Sequence, residues 1–183
     1  MSFRLNTALL AITLACPLWA SAADFTLSSP DLGVVLREEQ VFKGFGCSGK
    51  NLSPALQWQG VPAAARSLAV TVYDPDAPTG SGWWHWQVVN LAPTLAGLAA
   101  GAGDANGAAL PAGALQGRND YGTSAFGGAC PPAGDKPHRY IFTVHALKVA
   151  KLDVPAGASA ALIGYMINAN ALGTASLTAH YGR

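Results

Sequence analysis

The sequence predicts a mainly β fold with one late helix packed on it. Three observations carry this. Apolar and polar residues alternate along 66–74 and 139–147, the signature of strands with one face buried. Gly and Pro number 21 and 12, which marks many turns. Only 159–172 repeats its apolar residues at helical spacing.

Taken in order, Val34 to Phe42 reads as an early strand. Arg66 to Asp74 is a clearer one, with Leu68, Val70 and Val72 on one face. Trp84 to Leu91 reads as a third. Leu95 to Gly117 is Ala/Gly-rich without a useful period and is expected to be a long surface excursion. From Arg139 to Leu147, Tyr140, Phe142 and Val144 share a face opposite Ile141, Thr143 and His145. The helix over Ser159 to Leu172 is expected to bury Leu162, Tyr165 or Met166, Ala169 and Leu172, with Gly173 as its stop. Thr174 to Tyr181 alternates as a last strand.

Met1 to Ala22 reads as a secretory leader. Arg4 supplies the positive start and Leu9 to Ala15 a short apolar stretch. Ala20-Ser21-Ala22 is an A-x-A cleavage signal, so cleavage is expected after Ala22. That leaves one domain at 23–183 in the periplasm or outside the cell, with no span of membrane length. Cys16 departs with the leader, and Cys47 and Cys130 remain. An even pair in an oxidising compartment argues for a disulfide; two buried thiols are the alternative.

Composition narrows the function. Half the residues are apolar and 11% are charged, against about 25% charged in an average soluble chain. The net charge is +1, too small for nonspecific nucleic-acid binding, and the apolar content is too high for disorder. Gly44-x-Gly46-x-x-Gly49 matches a dinucleotide pattern only by chance, since Pro54 follows and no helix opens there. Asp74-x-Asp76 begins like a calcium loop, but Pro78 takes the next ligand position and no Glu closes it.

Three segments could carry chemistry. Asp74-Pro75-Asp76-Ala77-Pro78 ends a buried strand in a turn stiffened by two prolines. Asp74 shares the parity of Val70 and Val72 and so points inward; the plain alternative is a rigid turn whose aspartates cap backbone N–H groups. Gly82-Trp83-Trp84-His85-Trp86 sets one histidine among three tryptophans, either an aromatic wall with a titratable donor or a core cluster. His138-Arg139-Tyr140 opens the strand at 139–147, just after Cys130-Pro131-Pro132. Two histidines and a carboxylate at strand ends can build a small polar pocket in an apolar wall, suited to phosphate or carboxylate. A two-His, one-Asp metal site is the alternative for the same residues.

These motifs, in this order and with Gly117-x-Asn119-Asp120-x-Gly122 between them, resemble the phosphatidylethanolamine-binding protein family. The likeness is to its bacterial Raf-kinase-inhibitor-like branch (YbhB/YbcL type) in an exported form, and it runs from about Phe25 onward. It implies an antiparallel β-sandwich with one large sheet, a smaller sheet and a late C-terminal helix. It implies a shallow anion pocket built from Asp74, His85, Pro132, His138 and Tyr140, with Asp76 as a further candidate. It implies the Cys47–Cys130 disulfide, no metal and no cofactor, a homodimer, and inhibition of a kinase or protease partner. Phe126 and Ala129 depart from the family pattern on the pocket loop. The expected function is therefore a non-enzymatic ligand-binding or regulatory protein with a pocket for phosphate, phosphoethanolamine or carboxylate. The alternatives are a hydrolase using the His/Asp pocket, disfavoured for want of a nucleophile motif, and an interaction module whose pocket is vestigial.

Overall fold

The computed structural model describes residues 24–183; the expected leader lies outside them. In chain order come β1 (Thr26–Ser28), a 3-10 turn (Glu38–Gln40), and the hairpin β2 (Lys43–Gly44) and β3 (Cys47–Ser48). Then follow β4 (Leu56–Gln59), β5 (Ser67–Asp74), β6 (Trp83–Leu91), β7 (Gly97–Leu98), β8 (Leu115–Gln116) and β9 (His138–Leu147). Helix α1 (Ala160–Asn170) runs directly into β10 (Ala171–Tyr181). The large sheet has the order β10-β9-β5-β6-β8, and a three-stranded sheet β1-β4-β7 lies beside it, every pairing antiparallel.

Both faces of the large sheet are covered, so β5, paired to β6 and β9, is buried nearly throughout. One face carries Leu68, Val70, Val72, Trp86, Val88, Phe142 and Val144 against Leu56 and Trp58 of β4 and Leu98 of β7. The other carries Ala69, Val89 and Leu147 against Ile163 and Ile167 of α1. Each Val, Leu, Ile or Phe among them contributes about 1.5–3 kcal/mol through burial. This two-sided core fixes β5, β6 and β9 in register, and their ends form the site described below.

Four expectations are corrected. Val34 to Phe42 is not a strand. Val35 and Val41 make isolated bridges to His180 and Ala129, and Glu38 and Glu39 turn to accept the N–H groups of Lys50 and Leu52. The segment 95–117 is not wholly superficial, because Leu98 and Ala102 are buried and two short strands edge both sheets. Its pieces are too short to show a period. Helix α1 buries Ala160, Ile163, Gly164 and Ile167, while Leu162, Tyr165 and Leu172 are exposed. A helix apolar on every side gives periodicity no face to choose. Gly164 decides it: a Cβ there would stand 3.1 Å from Trp84 Cζ2, so the helix sits close upon β6. Gly173 is no stop; Ala171 is already extended and β10 begins pairing with β9 at once. Ser159 caps the helix start, its Oγ accepting the Leu162 N–H at 3.2 Å.

Candidate functional site

Strand β5 delivers Asp74 to the rim with its side chain inward, 3% exposed. Its Oδ1 accepts the N–H groups of Asp76 (2.8 Å) and Ala77 (3.1 Å), and its Oδ2 accepts from His138 Nδ1 at 2.8 Å. The turn-capping role and the inward role thus belong to one carboxylate. His138 Nε2 stands 3.4 Å from Asp135 Oδ2, so both of its ring nitrogens face carboxylates. Pro75 and Pro78 are both trans, as is every described peptide bond.

A β-bulge in β6 aims His85. Val72 pairs with Trp86 and Tyr73 with Trp84, which leaves His85 as the extra residue. Its Nδ1 donates to Gly127 O at 2.7 Å, which leaves Nε2 as the ring nitrogen without a protein partner. Burial pushes the imidazole below its ordinary value, opposed by the Gly127 carbonyl and the charge of Asp74. The three tryptophans divide their labour: Trp83 lines the cavity, Trp86 is fully buried in the core, and Trp84 meets Tyr73 at 4.5 Å in a tilted pair and packs under Gly164 of α1.

The far wall is the loop 117–132, shaped by its polar residues. Asn119 Oδ1 accepts from Thr123, and its Nδ2 donates to Ala125 O at 2.8 Å. Asp120 Oδ2 accepts the Trp84 N–H at 2.7 Å and ties the loop to β6. Asn51 brackets the loop, donating to Phe126 O and accepting from Gly128 N. This places Tyr121 as an aromatic hub, stacked at 3.9 Å on Phe42 and meeting Phe45, Trp83 and His85 at 5.6, 5.2 and 5.6 Å. A Cβ on Gly127 would come within 2.3 Å of the Tyr121 ring, so only glycine fits there.

The Cys47–Cys130 disulfide joins the β2–β3 hairpin to this wall. A loop of 83 residues closed in this way contributes about 4 kcal/mol on the chain-entropy model. Arg183 repeats the connection without covalency: Nε donates to Pro131 O at 2.7 Å and Nη1 to Gly46 O at 3.0 Å. Together they hold the exposed ring of Phe45 beside Pro131 and Pro132 at the cavity mouth.

The cavity holds about 200 Å³. That is less than the roughly 300–1,000 Å³ of drug-sized sites and suits a small group. Its lining brings together Asp74, His85, Pro132, His138 and Tyr140. It leaves out Asp76, which is turned away and bound by Arg139 through Nε (2.9 Å) and Nη2 (2.7 Å). That guanidinium holds the Asp76 carboxyl down at about 2. Burial and the charge of Asp74 push the Tyr121 and Tyr140 phenols up, so both keep their protons. Tyr121 spends its proton on Gly128 O at 2.9 Å. Among the side chains that line this cavity, Trp83 Nε1, His85 Nε2 and the Tyr140 hydroxyl are buried without a protein partner. Phe45, Asn51, Thr79, Tyr121 and Arg183 were not singled out from the sequence. Only Tyr121 had a signal there, as the variable position inside Gly117-x-Asn119-Asp120-x-Gly122.

Two packed antiparallel sheets thus carry, at their strand ends, a small aromatic-walled cavity with a few polar groups. The chain belongs to the phosphatidylethanolamine-binding protein family, whose model matches residues 33–182. It is similar to UPF0098 protein YbcL of Escherichia coli (strain K12), 56% identical over 164 residues that cover 88% of this chain and 90% of the relative. UPF0098 protein YbhB of the same strain is 50% identical over 157 residues, covering 85% and 98%. The crystal structure of Escherichia coli YbcL superposes with a TM-score of 0.86 at 55% identity, covering 88% of this chain and 99% of that one.

Proposed function

We propose that this chain is a non-enzymatic, exported binding and regulatory protein that takes a small phosphate- or carboxylate-bearing group into the cavity at the ends of β5, β6 and β9. The observation that carries this reading is that three side chains lining one cavity, Trp83, His85 and Tyr140, each carry a buried polar atom without a protein partner. Each such group costs about 1–3 kcal/mol when left unpaired, which favours a ligand that pairs them. The Trp83 N–H and the Tyr140 O–H are donors and suit anionic oxygens.

A binding role is favoured over hydrolysis by the state of the nucleophiles. Thr79 Oγ1 is engaged with Gly82 O, and Cys130 is in the disulfide. Asp74 is occupied by two backbone N–H groups and His138. The disulfide and the leader-like segment support export. The family resemblance adds a kinase or protease partner bearing the captured group, and a homodimer that sedimentation equilibrium would reveal by its mass.

The test is calorimetric titration of the oxidised protein with inorganic phosphate and O-phosphoethanolamine. Saturable binding that His85→Ala and His138→Ala each weaken at least about tenfold, or about 1.4 kcal/mol, is expected. Absence of saturable binding by the wild type would remove the pocket from the account.

A further inference from the structure

Resting on that reading, we propose that the cavity admits an oxyacid together with one proton, held between His85 Nε2 and a ligand oxygen. The cavity then selects the protonated state of a phosphate monoester or a carboxylate rather than the free polyanion.

Charge is the first argument. Among the described residues that line the cavity there is no lysine or arginine, and there is a carboxylate, Asp74. The nearby guanidinium of Arg139 is committed to Asp76 in a two-pronged pair. A dianion entering this wall meets Asp74 at low dielectric without a lysine or arginine to offset it, and the imidazole beside that carboxylate, His138, is already shared between Asp74 and Asp135.

Geometry is the second. A carbonyl only accepts, so the 2.7 Å contact to Gly127 O puts a proton on His85 Nδ1. The buried Nε2 then has a bare lone pair in the neutral ring. Against a ligand oxygen without hydrogen, two lone pairs would oppose each other. One proton resolves this, whether it stays on the ligand O–H or moves to Nε2. The bond is O–H···N in one case and N–H···O in the other, and the complex carries one proton in both. Trp83 and Tyr140 then donate to the remaining oxygens.

The charged and titratable groups around His85 agree with one added positive charge. Asp74 reaches it from β5, Asp120 and Tyr121 from the loop 117–132, and His138 and Tyr140 from β9. Both aspartates favour the protonated ring, whereas burial alone disfavours it. The free site is held unprotonated by desolvation, and a bound anion tips the balance.

The consequence is a proton-linked affinity. Above the second ionisation of a phosphate monoester, near pH 6, each pH unit should weaken apparent binding about tenfold. Calorimetry with O-phosphoethanolamine from about pH 5.5 to 7.5, in two buffers of different ionisation enthalpy, counts the protons taken up. The expected result is about one proton per ligand at the upper pH and a tenfold affinity loss per unit there. In His85→Gln, whose amide does not titrate, binding is weaker and the slope above pH 6 is lost. Wild-type binding with no proton uptake and a constant Kd overturns the inference and leaves the pocket reading standing. No binding at any pH overturns both.

Discussion

Each face of the large sheet buries a histidine with one unpartnered ring nitrogen, His145 on one and His85 on the other, and the two differ in what surrounds that nitrogen. On the α1 face, His145 of β9 meets Thr71 Oγ1 at 3.0 Å, and desolvation lowers its pKa to about 4. On the other face, His85 is lowered by desolvation too. Each ring has one buried nitrogen without a partner. The orphan of His85 shares a cavity with those of Trp83 and Tyr140, beside a carboxylate and an aromatic wall. The orphan of His145 does not line that cavity. A perturbed, half-satisfied histidine is therefore not itself the mark of a site. The mark is convergence of several unsatisfied groups on space that a ligand can enter.

The comparison can be broken most forcefully at Asp74. Asp74→Ala removes the partner of buried His138 and the cap of the following turn. A loss of about 3–5 kcal/mol is expected in urea unfolding, together with loss of binding. A stable variant that still binds would show that Asp74 is not the keystone of the rim.

The α1 face should be mechanically vital and functionally silent. Ile163→Ala should cost about 2–4 kcal/mol, with phosphate affinity retained by the folded fraction. Leu162→Ala on the exposed side should stay within about 0.5 kcal/mol. The reverse order would mean that α1 presents its other stripe to the sheet.

A smaller effect separates Asp76 from Asp74. The folded pKa of Asp76 is depressed from 3.8 to about 2 by Arg139. The stability it contributes is present above pH 3.8 and is lost as pH falls toward about 2. An acid titration of stability should show this step in the wild type and a diminished one in Arg139→Ala. Binding at neutral pH should be nearly unchanged by that substitution, because Asp76 lies outside the cavity lining. A large affinity loss would return Asp76 to the site.

What was legible in the sequence was the part governed by local alternation and by short rigid motifs. Leu68, Val70 and Val72 announced β5, and their parity carried Asp74 inward correctly. Tyr140 and Phe142 did the same for β9. The helix face was illegible because Leu162, Ile163, Tyr165 and Ile167 are all apolar, and the choice lay with the fit of Gly164 on Trp84. The orientation of His85 was illegible because simple alternation does not show which residue of a strand is bulged. Phe45 and Arg183 are far apart in the chain and meet the pocket loop through the disulfide, the Phe45–Tyr121 ring contact and the Arg183 bond to Pro131 O. Such long-range latches leave no periodic trace.

The most direct test of convergence follows the indole N–H signals in a proton–nitrogen NMR spectrum during a phosphate titration. Trp58 Nε1 already donates to Leu95 O, and Trp86 Nε1 to Gln116 Oε1. Trp83 lines the cavity and its Nε1 has no protein partner. The Trp83 signal should move saturably downfield while those of Trp58 and Trp86 stay in place. A saturating titration that leaves Trp83 unmoved, or that moves all three alike, would contradict the account.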